Sequence, residues 1–243
     1  NIMKIKVNAI MSSILVAFLL YNSIPLVFSQ NLDGGAYSSQ GLFIFGISGS
    51  KPVPSMRIQG SQYYDEEFKL SYLKYFNKRM DKQGYMRYNA FIDEIEIADS
   101  QISKTSDTAL LKDKDLSPVI SGETFIYIPY RLKDGRAVIG YLIEKFKGRN
   151  YRLYERRRKN FMEEVKARTS LENSFPPRYI NSIDFYISVN GSTPVIINKR
   201  RKDFLNFFSP SQSIINSFIK DNKLKINNLE SLIEIFKFAE SLK

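Results

Sequence analysis

The chain has 243 residues, 43% of them hydrophobic and 25% charged, with a formal net charge of +11. That balance is ordinary for a globular protein and excludes a disordered chain, a collagen-like fibre and a multi-span membrane protein. Cys, His and Trp are all absent, which removes disulfides, thiolate nucleophiles, Ser-His-Asp or Cys-His catalysis and zinc held by Cys or His.

Met3 reads as the initiator, and Lys4 and Lys6 form a positive region ahead of the uncharged apolar run Ile10–Leu20. Val27-Phe28-Ser29 then places small residues at −3 and −1. These three parts predict a secretory signal peptide, cleaved after Ser29. The other reading is an uncleaved anchor, because positions 9–28 carry no charge and just reach across a bilayer. Asn22, Ser23 and Pro25 interrupt that run near its end. No Cys follows it, so no lipid-anchored terminus is predicted. Without Lys4 and Lys6 the formal charge of +11 falls to +9 for the mature chain, 30–243. Basic charge on an exported chain points to an anionic envelope surface. AT-rich coding produces the same Lys, Asn and Ile bias without any function.

Residues 30–56 read as an irregular leader. Gly34, Gly35, Gly41, Gly46 and Gly49 punctuate the short apolar run Leu42–Ile47, which is either leader or one added strand. Residues 57–198 read as antiparallel β. Runs at Phe68–Phe76, Tyr85–Ile97, Glu123–Arg131, Val138–Phe146 and Tyr151–Arg158 alternate or are rich in aromatics, with turn residues between them. The turns fall at Asp81 to Gly84, Lys133-Asp134-Gly135 and Lys147-Gly148-Arg149-Asn150, with a long polar stretch at 98–117. Parallel strands need crossovers of a dozen or more residues, and none is visible here. Ile183, Phe185, Ile187 and Val189 alternate onto one face, and Asn190-Gly191 supplies the two positive-φ positions of a type I′ turn. A two-residue loop there pairs Phe185 with Ile196 and Tyr186 with Val195.

Residues 199–243 switch to helical spacing. Ser209-Pro210 reads as an N-cap with Pro at the first helical position, followed by a stripe of Ile214, Ile215, Phe218 and Ile219. Asn227 to Glu230 reads as a capping box with Asn227 as cap. Leu229, Leu232, Ile233, Phe236 and Leu242 continue that second stripe. Phe204, Leu205, Phe207 and Phe208 suggest a short helix before both. Helices this short need an apolar partner surface. The predicted class is therefore α+β, an antiparallel β-meander sheet with a C-terminal subdomain of two or three amphipathic helices.

Gly60-Ser61-Gln62-Tyr63, Glu67-Phe68, Met86-Arg87-Tyr88-Asn89-Ala90 and Asp93-Glu94-Ile95-Glu96 together resemble a pattern in an uncharacterised family of exported, signal-peptide-bearing envelope proteins of Bacteroidota-type bacteria. The tail resembles it too, at Lys202-Asp203-Phe204-Leu205 and Phe218 to Lys225. Gln62 departs from the pattern, which has Pro there, as do Phe236 to Ala239. The resemblance implies export and a shared fold. It brings no activity with it.

Three clusters carry candidate chemistry. Glu94 and Glu96 fall on one strand face with Asp93 on the other. Same-face carboxylates suit a glycan-acting enzyme by distance, yet would flank only one side of a sugar. Calcium is a weaker reading without an Asp-x-Asp-x-Asp-Gly loop, and a solvated face or Arg partners is the plainest. Asp65-Glu66-Glu67 is most simply a polar turn. Arg152, Arg156 and Arg158 share a face with Tyr154, inside the basic run from Arg149 to Lys159, and Lys199-Arg200-Arg201-Lys202 is a second basic run. Such runs read either as scattered surface charge or as a footprint for lipopolysaccharide, lipid head groups or an acidic partner. Aromatic-interleaved Arg also suits single-stranded nucleic acid, which export and the lack of any RNP-type or helix-turn-helix signature disfavour. No phosphate loop, dinucleotide fingerprint or nucleophile elbow is present, and no metal or cofactor is predicted. The leading expectation is an exported non-enzymatic protein of the periplasm or outer membrane. It would bind an envelope protein or an anionic envelope component.

Overall fold

A computed structural model describes residues 45–47, 58–169 and 171–242. The expected export signal and nearly all of the expected leader lie outside these residues. Among the described residues eleven strands form one mainly antiparallel sheet, followed by three α-helices. They are β1 (Phe45–Ile47), β2 (Lys69–Tyr75), β3 (Lys78–Asn89), β4 (Glu94–Ala98), β5 (Thr108–Leu110), β6 (Leu116–Ile120), β7 (Glu123–Arg131), β8 (Ala137–Lys147), β9 (Tyr151–Met162), β10 (Arg178–Val189) and β11 (Val195–Ile196). The helices are α1 (Arg201–Leu205), α2 (Gln212–Asp221) and α3 (Leu229–Ser241), with a 3-10 turn at Asn206–Phe208. The fold class is thus α+β. Of the short run Leu42–Ile47, Phe45–Ile47 supplies an added strand, since β1 pairs with β5.

The sheet is two meanders joined side by side. β2 to β5 form one and β6 to β11 the other, and β2 pairs with β6 to connect them. The second meander closes on itself. β7 pairs with β8, and the tiny β11 returns to touch β7 in parallel, Val195 opposite Arg131. The result is a five-strand ring, β7-β8-β9-β10-β11, and that parallel contact is what a simple meander lacks.

Three apolar clusters follow from the pleat. One lies under the first meander and includes Leu73, Met86, Tyr88, Ile95, Phe125, Tyr141 and Ile143. A second fills the inner face of the ring with Tyr130, Leu142, Tyr154 and Tyr186. The third joins Tyr151, Leu153 and Ile187 of the sheet to Phe204, Phe208, Ile215, Ile219, Leu232, Ile235 and Phe236 of the helical tail. The amphipathic helices therefore find their apolar partner on β9 and β10. Ile214 departs from the expected stripe and is half exposed.

Several local expectations shift. Tyr85–Ile97 is not one strand: it breaks at the turn Ala90–Asp93, where Asp93 takes φ 60°. The first hairpin turns at Phe76-Asn77, φ 47° and 62°, and not at Asp81 to Gly84, which lie within β3. Asn190-Gly191 does form the tight turn, φ 51° and 76°, but the return strand is displaced by one residue: Tyr186 faces Ile196 and Ile187 faces Val195. The Ser188 hydroxyl donates to the Ser192 carbonyl at 2.6 Å, and the Arg131 N–H donates to the Pro194 carbonyl at 2.9 Å. These bonds draw the chain toward β7 before pairing resumes. α2 begins at Gln212 and not beside Pro210. The cap of α3 is Asn228 and not Asn227, its side chain accepting from the Ser231 N–H at 2.8 Å.

Candidate functional sites

The motif residues Tyr63, Phe68, Arg87, Asn89 and Glu96 converge on one buried ion pair. Arg87 on β3 and Glu96 on β4 are directly paired in register, so both side chains leave the same sheet face and meet at 2.7 Å. Neither is exposed beyond 3%. The Arg87 guanidinium lies between two rings, 3.6 Å from the Tyr63 centroid and 4.0 Å from that of Phe68. It also donates to the Glu66 carbonyl at 2.7 Å. The other oxygen of Glu96 accepts from the Asn89 amide at 2.9 Å and the Tyr63 hydroxyl at 3.1 Å. Burial, with the Glu96 charge next, pushes the Tyr63 hydroxyl up to about 12. Three donors and two aromatic faces thus offset the desolvation of two charges.

Glu94 and Glu96 do share a face, but Glu96 is enclosed and its oxygens are spent. Glu94 lies 3.6 Å from Lys112. The two carboxylates therefore offer no common access to a substrate. Beside the pair is an open cleft of about 540 Å³, lined by Ser61, Tyr63, Glu67, Gln101, Ser103 and Lys104 among others. Among the described residues no acidic cluster is placed to hold a metal ion.

Asp93 and Tyr88 serve a second arrangement. β8 and β9 stay paired only as far as Ile143 opposite Glu155 and then part. The β3–β4 turn enters the gap. The Ala90 carbonyl accepts from Lys159 N–H at 3.1 Å, and the Asp93 carboxylate accepts from Tyr141 N–H at 3.3 Å. The same carboxylate takes Arg158 at 2.6 and 2.9 Å and the Tyr88 hydroxyl at 2.7 Å. Burial works against the charged Arg158, but its bonds to Asp93 outweigh that and hold its pKa above the usual value.

The basic face foreseen at Arg152, Tyr154, Arg156 and Arg158 does form, and it looks into the ring. Tyr154 is buried there. Its hydroxyl is raised by burial, with the Arg152 charge opposing. Arg156 lies 3.6 Å from Asp184 and 5.4 Å over the Tyr130 ring. Arg157, on the opposite face, grips Glu123 at 2.6 and 2.7 Å and also pairs with Glu155, while Lys145 links Glu155 and Glu123. Much of the Arg-rich strand is therefore neutralised within the molecule.

The second basic run behaves differently. Arg200 turns to Asp203 at 2.9 Å, but Lys199 and Arg201 line a cleft of about 330 Å³ together with Lys225, Asn227, Ile219, Leu224 and Ile226. Sequence reasoning reached Lys199 and Arg201 as part of a charge run and missed Lys225. Its traces were its place at the end of the tail motif Phe218 to Lys225 and the alternation Lys223-Leu224-Lys225-Ile226 just past α2.

Searches of protein-family models, curated proteins and solved structures returned no match to the chain.

Proposed function

We propose that this chain is an exported protein of the cell envelope, of the kind its motifs resemble, which acts by binding or assembly and not by turnover. Its leader has the order of an export signal, and the mature chain is strongly basic. One observation carries the binding reading. The conspicuous carboxylates Glu96, Asp93, Glu123 and Glu155 are all committed to internal cations, while Lys199, Arg201 and Lys225 share a cleft and, among the described residues, none of them has a carboxylate partner. Surplus positive charge on an apolar floor is a docking feature for an anionic partner.

The test is fractionation of the native cell after mild cross-linking. The full-length precursor should be processed, and the product should be recovered with envelope material. Recovery of intact precursor in the cytosol, cross-linked to nothing, would overturn the reading.

A glycan-acting enzyme remains as a second reading, favoured by one observation: the cleft beside Tyr63 is lined with hydroxyl and amide groups suited to sugar. Its carboxylates would be Glu66 and Glu67 of the cleft lining, since Glu96 is enclosed. Glu66→Gln and Glu67→Gln should abolish any polysaccharide turnover if that reading holds, and retention of full turnover by both variants removes it.

A further inference from the structure

The basic cleft in the helical tail is built by local chain geometry. α2 ends in a Schellman arrangement: Leu224 N–H returns to the Ile219 carbonyl at 2.9 Å and Lys223 N–H to the Lys220 carbonyl at 3.1 Å, with Lys223 at φ 52°. That turn brings Leu224 over Ile219 and lays an apolar floor, extended by Ile226. The turn then carries Lys225 to the rim. Opposite it, Arg201 at the start of α1 is fixed to α2 by one bond, from Nη2 to the Asn216 carbonyl at 3.2 Å. Its Nε has no hydrogen-bond partner. Lys199 completes the cationic side. Residues 199–243 hold nine Lys or Arg against five Asp or Glu, so the surroundings add to the positive potential.

We infer that this cleft binds a phosphate group carrying an apolar chain. The inference rests on the binding reading above and names its ligand class. Three cations lining one cleft from two segments suit an anion with several oxygens, and the Arg201 fork suits phosphate oxygens in particular. Ile219, Leu224 and Ile226 give an adjoining apolar chain somewhere to leave water. Taking about 30 Å³ as the share of one water-sized group, 330 Å³ holds roughly ten such groups. That is enough for a phosphate and the first few methylenes. A free phosphate would leave the floor unfilled, and a neutral apolar molecule would leave three cations unanswered. The ligand class covers both a soluble phosphate monoester and the head of a membrane phospholipid.

Calorimetry on the full mature chain at low salt tests this with hexyl phosphate, inorganic phosphate and hexanol. Vesicles of phosphatidylcholine with and without phosphatidylglycerol form a second arm. Hexyl phosphate should bind about tenfold more tightly than inorganic phosphate, the gain expected from burying about two methylenes, and hexanol should not bind. Lys199→Gln/Arg201→Gln/Lys225→Gln should lose that affinity by about tenfold or more, while Lys78→Gln/Lys82→Gln/Lys133→Gln, the same charge change on exposed strands and loops, should keep it. Binding to hexyl phosphate and to phosphatidylglycerol vesicles identifies a lipid source; binding to hexyl phosphate alone identifies a soluble ester. Equal affinity for inorganic and hexyl phosphate overturns the inference, as does equal loss in the two triple variants or no binding at all. A chain that binds none of these probes but still cross-links to envelope material in cells leaves the wider binding reading standing. One that does neither removes both.

Discussion

The Asp93 carboxylate occupies the space that a Cβ at position 140 would fill, so Gly140 on β8 is what admits it. A methyl group there would also stand 3.2 Å from Arg158 Nη2 and 3.4 Å from the Tyr130 hydroxyl. The missing side chain opens a window in the strand, through which the β3–β4 turn reaches Arg158 on the inner face of the ring. One glycine thus lets two meanders share a single polar joint.

Gly140→Ala should therefore displace Asp93 and strand Arg158. Removing one partner of a largely enclosed ion pair costs about 3 kcal/mol, which denaturant titration would read as a lower midpoint with unchanged slope. An unaltered midpoint would show that the turn does not depend on the window.

The Arg87–Glu96 pair calls for a double-mutant cycle. Arg87→Met alone leaves a buried carboxylate and should cost about 3–5 kcal/mol. Arg87→Met combined with Glu96→Gln should cost much less than the sum of the single changes, because the second substitution removes the orphaned charge. Additive losses would mean that the two side chains stabilise the sheet independently.

Glu240 on α3 clamps the β8–β9 turn, accepting from Asn150 N–H at 2.7 Å, Tyr151 N–H at 2.6 Å and the Asn150 side chain at 3.1 Å. Burial opposes its ionisation, but those donors outweigh burial and lower its pKa. A carboxyl lowered in the folded state adds stability above its unfolded pKa, about 4.3, and that stability is lost as pH falls through the folded value. Glu240→Gln should therefore be less stable than the parent at pH 7, with the gap narrowing below about pH 4. A gap in thermal midpoint that stays constant from pH 7 to pH 3 would remove the ionised clamp.

The two asparagines before α3 separate cleanly by mutation. Asn228→Ala should cost about 1 kcal/mol through loss of its bond to the Ser231 N–H, and Asn227→Ala should cost little. Thermal denaturation of the two variants reads the difference. The reverse order would restore Asn227 as the cap.

Those caps show where local reading stops. Asn227 and Asn228 are chemically alike, and nothing in the adjacent residues decides which of them leaves the helix. The hairpin after Val189 fails in the same way. Asn190-Gly191 dictates a tight turn, but the one-residue displacement beyond it comes from the Arg131 bond to Pro194, which belongs to a different hairpin. A shift of one reverses every side chain, so Ile196 joins Tyr130 and Tyr186 in the ring core. For the candidate sites, the grouping of Arg87, Asn89 and Glu96 is hidden in the sequence, because Tyr85–Ile97 reads as one continuous strand and only the turn at Ala90–Asp93 brings them together. Lys225 beside Arg201 is hidden as well.

From its residue types alone the chain is committed to chemistry without imidazole or thiol and to a β body followed by amphipathic helices. Periodicity and turn chemistry act over a few residues and survive in any context. Tertiary structure alone decided that β11 closes a ring, that the Ala90–Asp93 turn fills the fork between β8 and β9, and that the Arg-rich strand is neutralised while a cleft in the tail keeps its charge. Arg158 meets Asp93 across 65 residues of chain, and Lys225 comes to line one cleft with Arg201 across a helix and its turn. Such meetings depend on strand register and helix docking, which are properties of the whole fold that no local stretch encodes.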